Sequence, residues 1–320
     1  VTYMNKPVEV PVFLITGFLD SGKTSFLRQI LEEEGFSEEA RSLLITCEEG
    51  EEEYDEFRLA QLNISLTNVD DEESFNEEFL ERCSSYYRPE FVFIEYNGMW
   101  KVQDFLDMKL PKGWFINQII TTVDGSTFES YMNNMRSMML DIFTSSEMVF
   151  FNRCSEDMPL NVFRRSIRAV NRRAQMVFDD ENGDPIELPP EELPYNLNAD
   201  VIEISDEDFG IWYLDAMEHP ENYEDKTVAF TGRVFIGKNF PDGCFVPGRH
   251  AMTCCADDIQ FIGFICKTKH IDKFKNDMWV KVTAKVKSEY SKLYQGEGPV
   301  LYMKHATSTK KPEEELVYFN

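Results

Sequence analysis

The first half of the chain alternates short apolar runs with longer stretches in which apolar positions recur every three to four residues. The runs at 12–16, 42–47, 64–69, 91–95, 117–124, 148–152 and 175–178 have strand length and little in–out alternation. Such runs predict strands buried on both faces. Between them, 23–34, 72–86, 127–143 and 159–172 carry the helical period. Strands alternating with helices predict an α/β fold: a mostly parallel sheet with helices on both faces.

The rhythm stops after residue 178. The run DDENGDPIELPPEELPYNLNAD is rich in Pro, Asn and acids and reads as a linker. Further on, Val280, Val282, Ala284 and Val286 alternate with Lys281, Thr283, Lys285 and Lys287, which predicts a half-buried strand. Val228, Phe230 and Val234 repeat the pattern more weakly. Short strands with Gly/Pro turns predict a smaller β-rich, barrel-like C-terminal domain. The expected division is 1–180, a linker over 181–200, and 201–320. With 320 residues the chain exceeds what one core usually takes.

Composition narrows the partners. The chain has 42% hydrophobic residues and 26 Phe, enough for packed cores. Its formal net charge of −26 repels nucleic acid and anionic membranes unless a basic patch overrides it. The densest basic stretch, Arg164, Arg165, Arg168, Arg172 and Arg173, reads as an exposed helix face. Neither a nucleic-acid partner nor direct membrane insertion is therefore expected. No run approaches the ~18 apolar residues of a membrane helix. Seven scattered cysteines and no secretory signal pattern predict reduced thiols and a cytoplasmic location.

Residues 17–24, GFLDSGKT, fit the phosphate-loop spacing GxxxxGK[ST], between a predicted strand and a predicted helix. The glycines let successive N–H groups turn toward one phosphate, and the helix adds the positive end of its dipole. Gly17, Asp20, Ser21, Gly22, Lys23, Thr24 and Ser25 are the expected nucleotide contacts. Lys23 would neutralise the outer phosphates, and Thr24 would coordinate Mg2+. The run FVFIEYNG (91–98) is an apolar strand ending in an acid, which places Glu95 beside that ion. Lys23 and Glu95 are the catalytic candidates, and Gly98 would let the backbone approach the γ-phosphate. The run MVFFNRCS (148–155) resembles the guanine-reading NKxD, with Asn152 retained, Arg153 for the lysine and Ser155 for the aspartate. A serine accepts from the base edge more weakly than a carboxylate, so GTP or ATP remains open.

Together these runs resemble the CobW-type P-loop GTPases, relatives of the hydrogenase and urease nickel-insertion GTPases. The family's switch segment N-E-F-G-E-x-G-x-D corresponds to residues 47–55, where Glu48, Gly50, Glu51 and Asp55 match. The resemblance implies GTP hydrolysis linked to metal handling, with Glu48, Glu51 and Asp55 as candidate ligands of a hard cation. The family's CxCC motif is replaced by NISLTNVDD, without cysteine.

In the C-terminal region Cys244, Cys254, Cys255 and Cys266 lie within 23 positions, with His250 and Asp257 among them. Cys254, Cys255, Asp257 and His250 are candidate zinc ligands; the alternative is buried structural thiols. HPENYEDKTVAFTGRVFI and GRHAMTCCADDIQFIGFIC resemble the C-terminal domain of the YcgQ family, which implies a metal-linked role with a permease-type partner. Two functions stay open. One is a Mg-dependent NTPase coupled to metal handling or cofactor assembly, with zinc the expected metal and a metal-dependent client. The other is a nucleotide-responsive scaffold with little turnover.

Overall fold

The computed structural model describes residues 9–32, 40–48, 50, 54–188, 192–253 and 259–319. The chain divides into two compact units, Val1–Phe163 with Arg173–Leu188, and Arg164–Arg172 with Pro189–Asn320.

The strands of the first unit are β1 (Val10–Thr16), β2 (Ser42–Thr46), β3 (Ile64–Asn68), β4 (Phe91–Glu95), β5 (Trp114–Asp124), β6 (Met148–Cys154) and β7 (Gln175–Asp180). They form one sheet in the order β3-β2-β4-β1-β5-β6-β7, and every neighbouring pair is parallel. Between them run α1 (Lys23–Glu32), α2 (Glu56–Gln61), α3 (Glu77–Tyr87), α4 (Val102–Leu106), α5 (Phe128–Asn134), α6 (Arg136–Ser145) and α7 (Leu160–Arg168). Alternate residues of β1 serve opposite faces. Val12 and Leu14 join a core with Leu80 of α3 and Phe105 of α4. Ile15 joins Leu27 and Leu31 of α1 and Leu59 of α2. The parallel sheet is thus covered on both sides, as the strand pattern implied.

Local chemistry explains where the helices depart from the periodic pattern. The helix expected from 72 begins at Glu77, because Asn76 caps it by accepting from Phe79 N–H, while Asp71 holds Ser74 in a preceding turn. The single helix expected over 127–143 is two, broken at Met135 (φ −135°, ψ 32°) after two consecutive asparagines. Helices α2 and α4 have six and five residues, too few for a period to register.

The second unit contains β8 (Ile202–Glu203), α8 (Phe209–Glu218), β9 (Thr227–Phe235), β10 (Cys244–Ala251), β11 (Gln260–Ile262), β12 (Cys266–Lys267), β13 (Trp279–Ser291), β14 (Gly296–Ser308) and β15 (Leu316–Val317). Five of them close a ring, β9-β10-β12-β14-β13 and back to β9. Closure removes most free sheet edges. Val280, Val282, Ala284 and Val286 all point into the core. Helix α8 buries Phe209, Trp212, Leu214 and Ala216. It is apolar on nearly every side, so it shows no helical stripe in sequence. Arg164 and Arg168 are not a free solvent face: both pair with Glu218, at 3.7 and 3.4 Å. Among the described residues, no helix is long and apolar enough to cross a membrane.

Candidate functional site

The phosphate loop connects β1 to α1, at the carboxyl end of the sheet. Strand β1 lies between β4 and β5, so both neighbours deliver side chains to the loop. Ser21 Oγ shares a 2.8 Å hydrogen bond with Thr122 Oγ1 of β5. From β6, Asn152 Nδ2 donates to Ser21 O at 2.8 Å. Its Oδ1 is buried with no partner among the described residues, so the carboxamide keeps an acceptor to offer. Gly22 takes a positive φ of 92°, and a Cβ there would lie 2.5 Å from Asn152 Nδ2. Glycine is required twice over, by backbone angle and by space.

Lys23 opens α1 and is 3% exposed. Its Nζ donates to Gly17 O at 2.7 Å and Phe18 O at 2.9 Å, and forms an ion pair with Glu48 Oε1. Thr24 Oγ1 donates to Glu95 Oε1 at 2.7 Å. Tyr54 Oη donates to Glu95 Oε2 at 2.5 Å. Burial pushes the Glu95 carboxyl above its ordinary range, while the Tyr54 and Thr24 hydrogen bonds and the Lys23 charge hold it down. Burial and the neighbouring Glu95 charge push the Tyr54 hydroxyl upward.

A hydroxyl and a carboxylate side by side, next to a lysine in a phosphate loop, fit Mg2+ bound together with phosphate oxygens. The cation would also offset the cost of burying Glu95. Asp20 and Ser25 line the same cleft as Lys23, Thr24 and Glu95.

The other expected ligands are scattered. Glu48 faces this cleft. Asp55 is exposed and caps α2, its Oδ1 accepting from Phe57 and Arg58 N–H. His250 sits on β10 with its ring 5.1 Å from that of Phe261. Glu51, Cys254, Cys255 and Asp257 lie outside the described residues. Among the described residues, no three His, Cys, Asp or Glu side chains come together as a metal site. The five described cysteines are unpaired and buried. Burial pushes the thiols of Cys83 and Cys154 up to about 11 and 12, and raises those of Cys47, Cys244 and Cys266 as well.

At the base end, Ser155 and Asp157 are both exposed. Arg153 Nη1 donates to Asp124 Oδ2 at 2.6 Å and to Asp20 O at 3.0 Å, so it braces the loop. Sequence reasoning missed Tyr54. Its one signal was an aromatic side chain inside the acidic run EEEYDE.

The family model for the CobW/HypB/UreG nucleotide-binding domain matches residues 11–178. The DUF1980 C-terminal domain model matches 188–319. Among curated proteins, none matches this chain. Solved structures similar to it include the Zn(II)-bound YjiA GTPase from E. coli, at 20% identity and a TM-score of 0.43, over 56% of this chain and 60% of that one. The chain thus spans less than two thirds of that protein's length. The hydrogenase maturation factor HypB from Archaeoglobus fulgidus matches at 17% identity and a TM-score of 0.40, over 54% of this chain and 82% of that one. The first family model spans more than half of the sequence, and the chain belongs to the CobW/HypB/UreG nucleotide-binding family.

Proposed function

We propose that the first unit binds GTP with Mg2+ and hydrolyses it, and that the cycle serves the handling of a transition metal, with zinc the leading candidate. The observation that carries this is the convergence of Lys23, Thr24 and Glu95 on one cleft at the carboxyl ends of β1 and β4. Lys23 and the loop N–H groups hold the phosphates, and Thr24 and Glu95 hold the cation. A magnesium ion held by Thr24 and Glu95 would supply positive charge against the charge that develops on the phosphates. Glu95, held by Thr24 and Tyr54, would position the metal or the attacking water. Asn152 meets the base; with Ser155 in place of an aspartate, the preference for GTP over ATP is modest.

The metal part rests on family membership and on Cys254, Cys255, Asp257 and His250 in a C-terminal domain of residues 201–320. A metal-dependent client or a permease-type partner in the cytoplasm fits that part.

The test is calorimetry and phosphate release with GTP and ATP, for the wild type and Lys23→Ala. Triphosphate affinity should fall at least about a hundredfold in the variant, as loss of a buried charge-assisted contact implies. Equal affinities would refute the site. Metal analysis of the full chain beside a Cys254→Ser, Cys255→Ser double variant tests the zinc part. Stoichiometric zinc lost in a folded variant supports it, and a metal-free wild type opposes it.

A second reading is favoured by Arg153, which stands where the base-reading lysine would be and is tied to Asp124 and Asp20. It makes the chain a nucleotide-responsive scaffold with little turnover. Tight GTP binding with phosphate release no faster than in Lys23→Ala selects it.

A further inference from the structure

Glu48 places its carboxylate between two donors that come from different parts of the first unit. Its Oε1 is paired with Lys23 Nζ at the start of α1. Its Oε2 accepts from Gly98 N–H, past the end of β4, at 3.3 Å. The Gly98 peptide lies directly against the phosphate loop: a Cβ there would come within 2.1 Å of Gly17 O and 2.8 Å of Phe18 Cα. Both carboxylate oxygens are therefore held by groups that the loop geometry fixes. Glu48 is itself withdrawn from solvent, with a side chain 10% exposed against 2% for Lys23. Asn97 Nδ2 donates to Cys47 O at 3.2 Å and holds the adjoining backbone in place. An ammonium and a backbone N–H converging on one buried anion are what a phosphate loop offers the outermost phosphate. The anion held there is one of the chain's own side chains.

We propose that Glu48 is an internal stand-in for the γ-phosphate, so that the site tells a triphosphate from a diphosphate by whether the nucleotide expels this carboxylate. The proposal rests on the nucleotide-binding reading of residues 17–24. A nucleoside diphosphate leaves the Lys23–Glu48–Gly98 contacts in place. A triphosphate brings its terminal phosphate to the same two donors, and two anions cannot share them at contact distance in a poorly solvated cleft. Glu48 must then leave, and its contacts are lost against the binding of the third phosphate. The intrinsic preference for triphosphate is blunted as a result. The expelled carboxylate is a free ligand in the triphosphate state alone.

The test measures affinities of the full-length chain for GDP and for the non-hydrolysable analogue GMPPNP, with Mg2+, by calorimetry. Wild type is compared with Glu48→Gln, which keeps the shape, and Glu48→Ala, which removes it; thermal melts confirm folding. Removing the competing charge should raise GMPPNP affinity about tenfold or more and change GDP affinity less than about threefold, the range expected for a desolvated charge pair. Equal changes for both nucleotides, or weaker GMPPNP binding in Glu48→Gln, would overturn the proposal while leaving the nucleotide site standing. A folded wild type that binds neither nucleotide would overturn the site reading and the proposal with it.

Discussion

Lys23 in the first unit and Arg249 in the second are both almost fully buried cations, at 3% and 1% exposure. Each is paired with a carboxylate, Glu48 and Asp206. Their surroundings differ in kind. Lys23 is cradled by two loop carbonyls and a carboxylate beside an open cleft. Arg249 lies 5.8 Å from the ring centre of Phe209 and 5.6 Å from that of Trp279, and also donates to Glu314 O. Its Nε is buried without a partner among the described residues, and Asp206 is half exposed. A polar cradle can exchange one anion for another. An aromatic clamp ties the segments around 206 and 314 to β10, and leaves no room for exchange. Burial of a cation alone does not mark a site; the neighbours' capacity to accept a replacement does.

The largest effect should break the clamp. Arg249→Ala is expected to destabilise the second unit by about 2–5 kcal/mol, the usual cost of emptying the space of a large buried side chain, here one packed on Phe209 and Trp279. Urea unfolding followed by tryptophan fluorescence measures it. GTP affinity of the folded variant should stay within about twofold, since Arg249 and the phosphate loop belong to different units. A large loss of nucleotide affinity would erase the distinction between the two cations.

Glu95→Gln should separate function from stability inside the first unit. Phosphate release is expected to fall by about a hundredfold or more, because the charge proposed to hold the cation is gone. The ligand-free protein should melt higher at pH 8. The sign follows from the raised carboxyl. Between its unfolded value and its folded one the native state holds more protons, so wild-type stability falls as pH rises through that window. The penalty is then fully present above the folded value. Glutamine removes this contribution, and a wild type that melts higher than the variant at pH 8 would contradict it.

The smallest effect concerns the base. Ser155→Asp restores an acceptor at the base edge and should widen the GTP-over-ATP preference by about 1–2 kcal/mol. Competition binding reads it directly, and ATP binding more tightly than GTP in the wild type would defeat the guanine reading.

These residues also mark what the sequence can and cannot say. The phosphate loop was legible because its spacing is imposed by one small ligand, and the parallel sheet because strands buried on both faces leave continuous apolar runs. Asn152 could be found because the apolar run of β6 stops at it, but its bond to Ser21 spans 131 positions and leaves no local trace. Tyr54 and Glu95 meet across 41 positions in the same way. Helix α8 escaped because a segment buried on nearly all sides loses its periodicity. Asp55 matched the family's switch pattern, yet its carboxylate accepts the first N–H groups of α2, a use that spacing alone cannot separate from cation binding.

Asn152 and Gly22 touch so closely that neither can vary alone. Any side chain at position 22 would push the carboxamide off Ser21 O, and any bulkier residue at 152 would press on the phosphate loop. The end proposed to recognise the base and the end proposed to grip the phosphates are thereby joined as a single gauge. Altered nucleotide choice must therefore come from around this contact, through Arg153 or Ser155, and in related chains positions 22 and 152 are expected to change together or not at all.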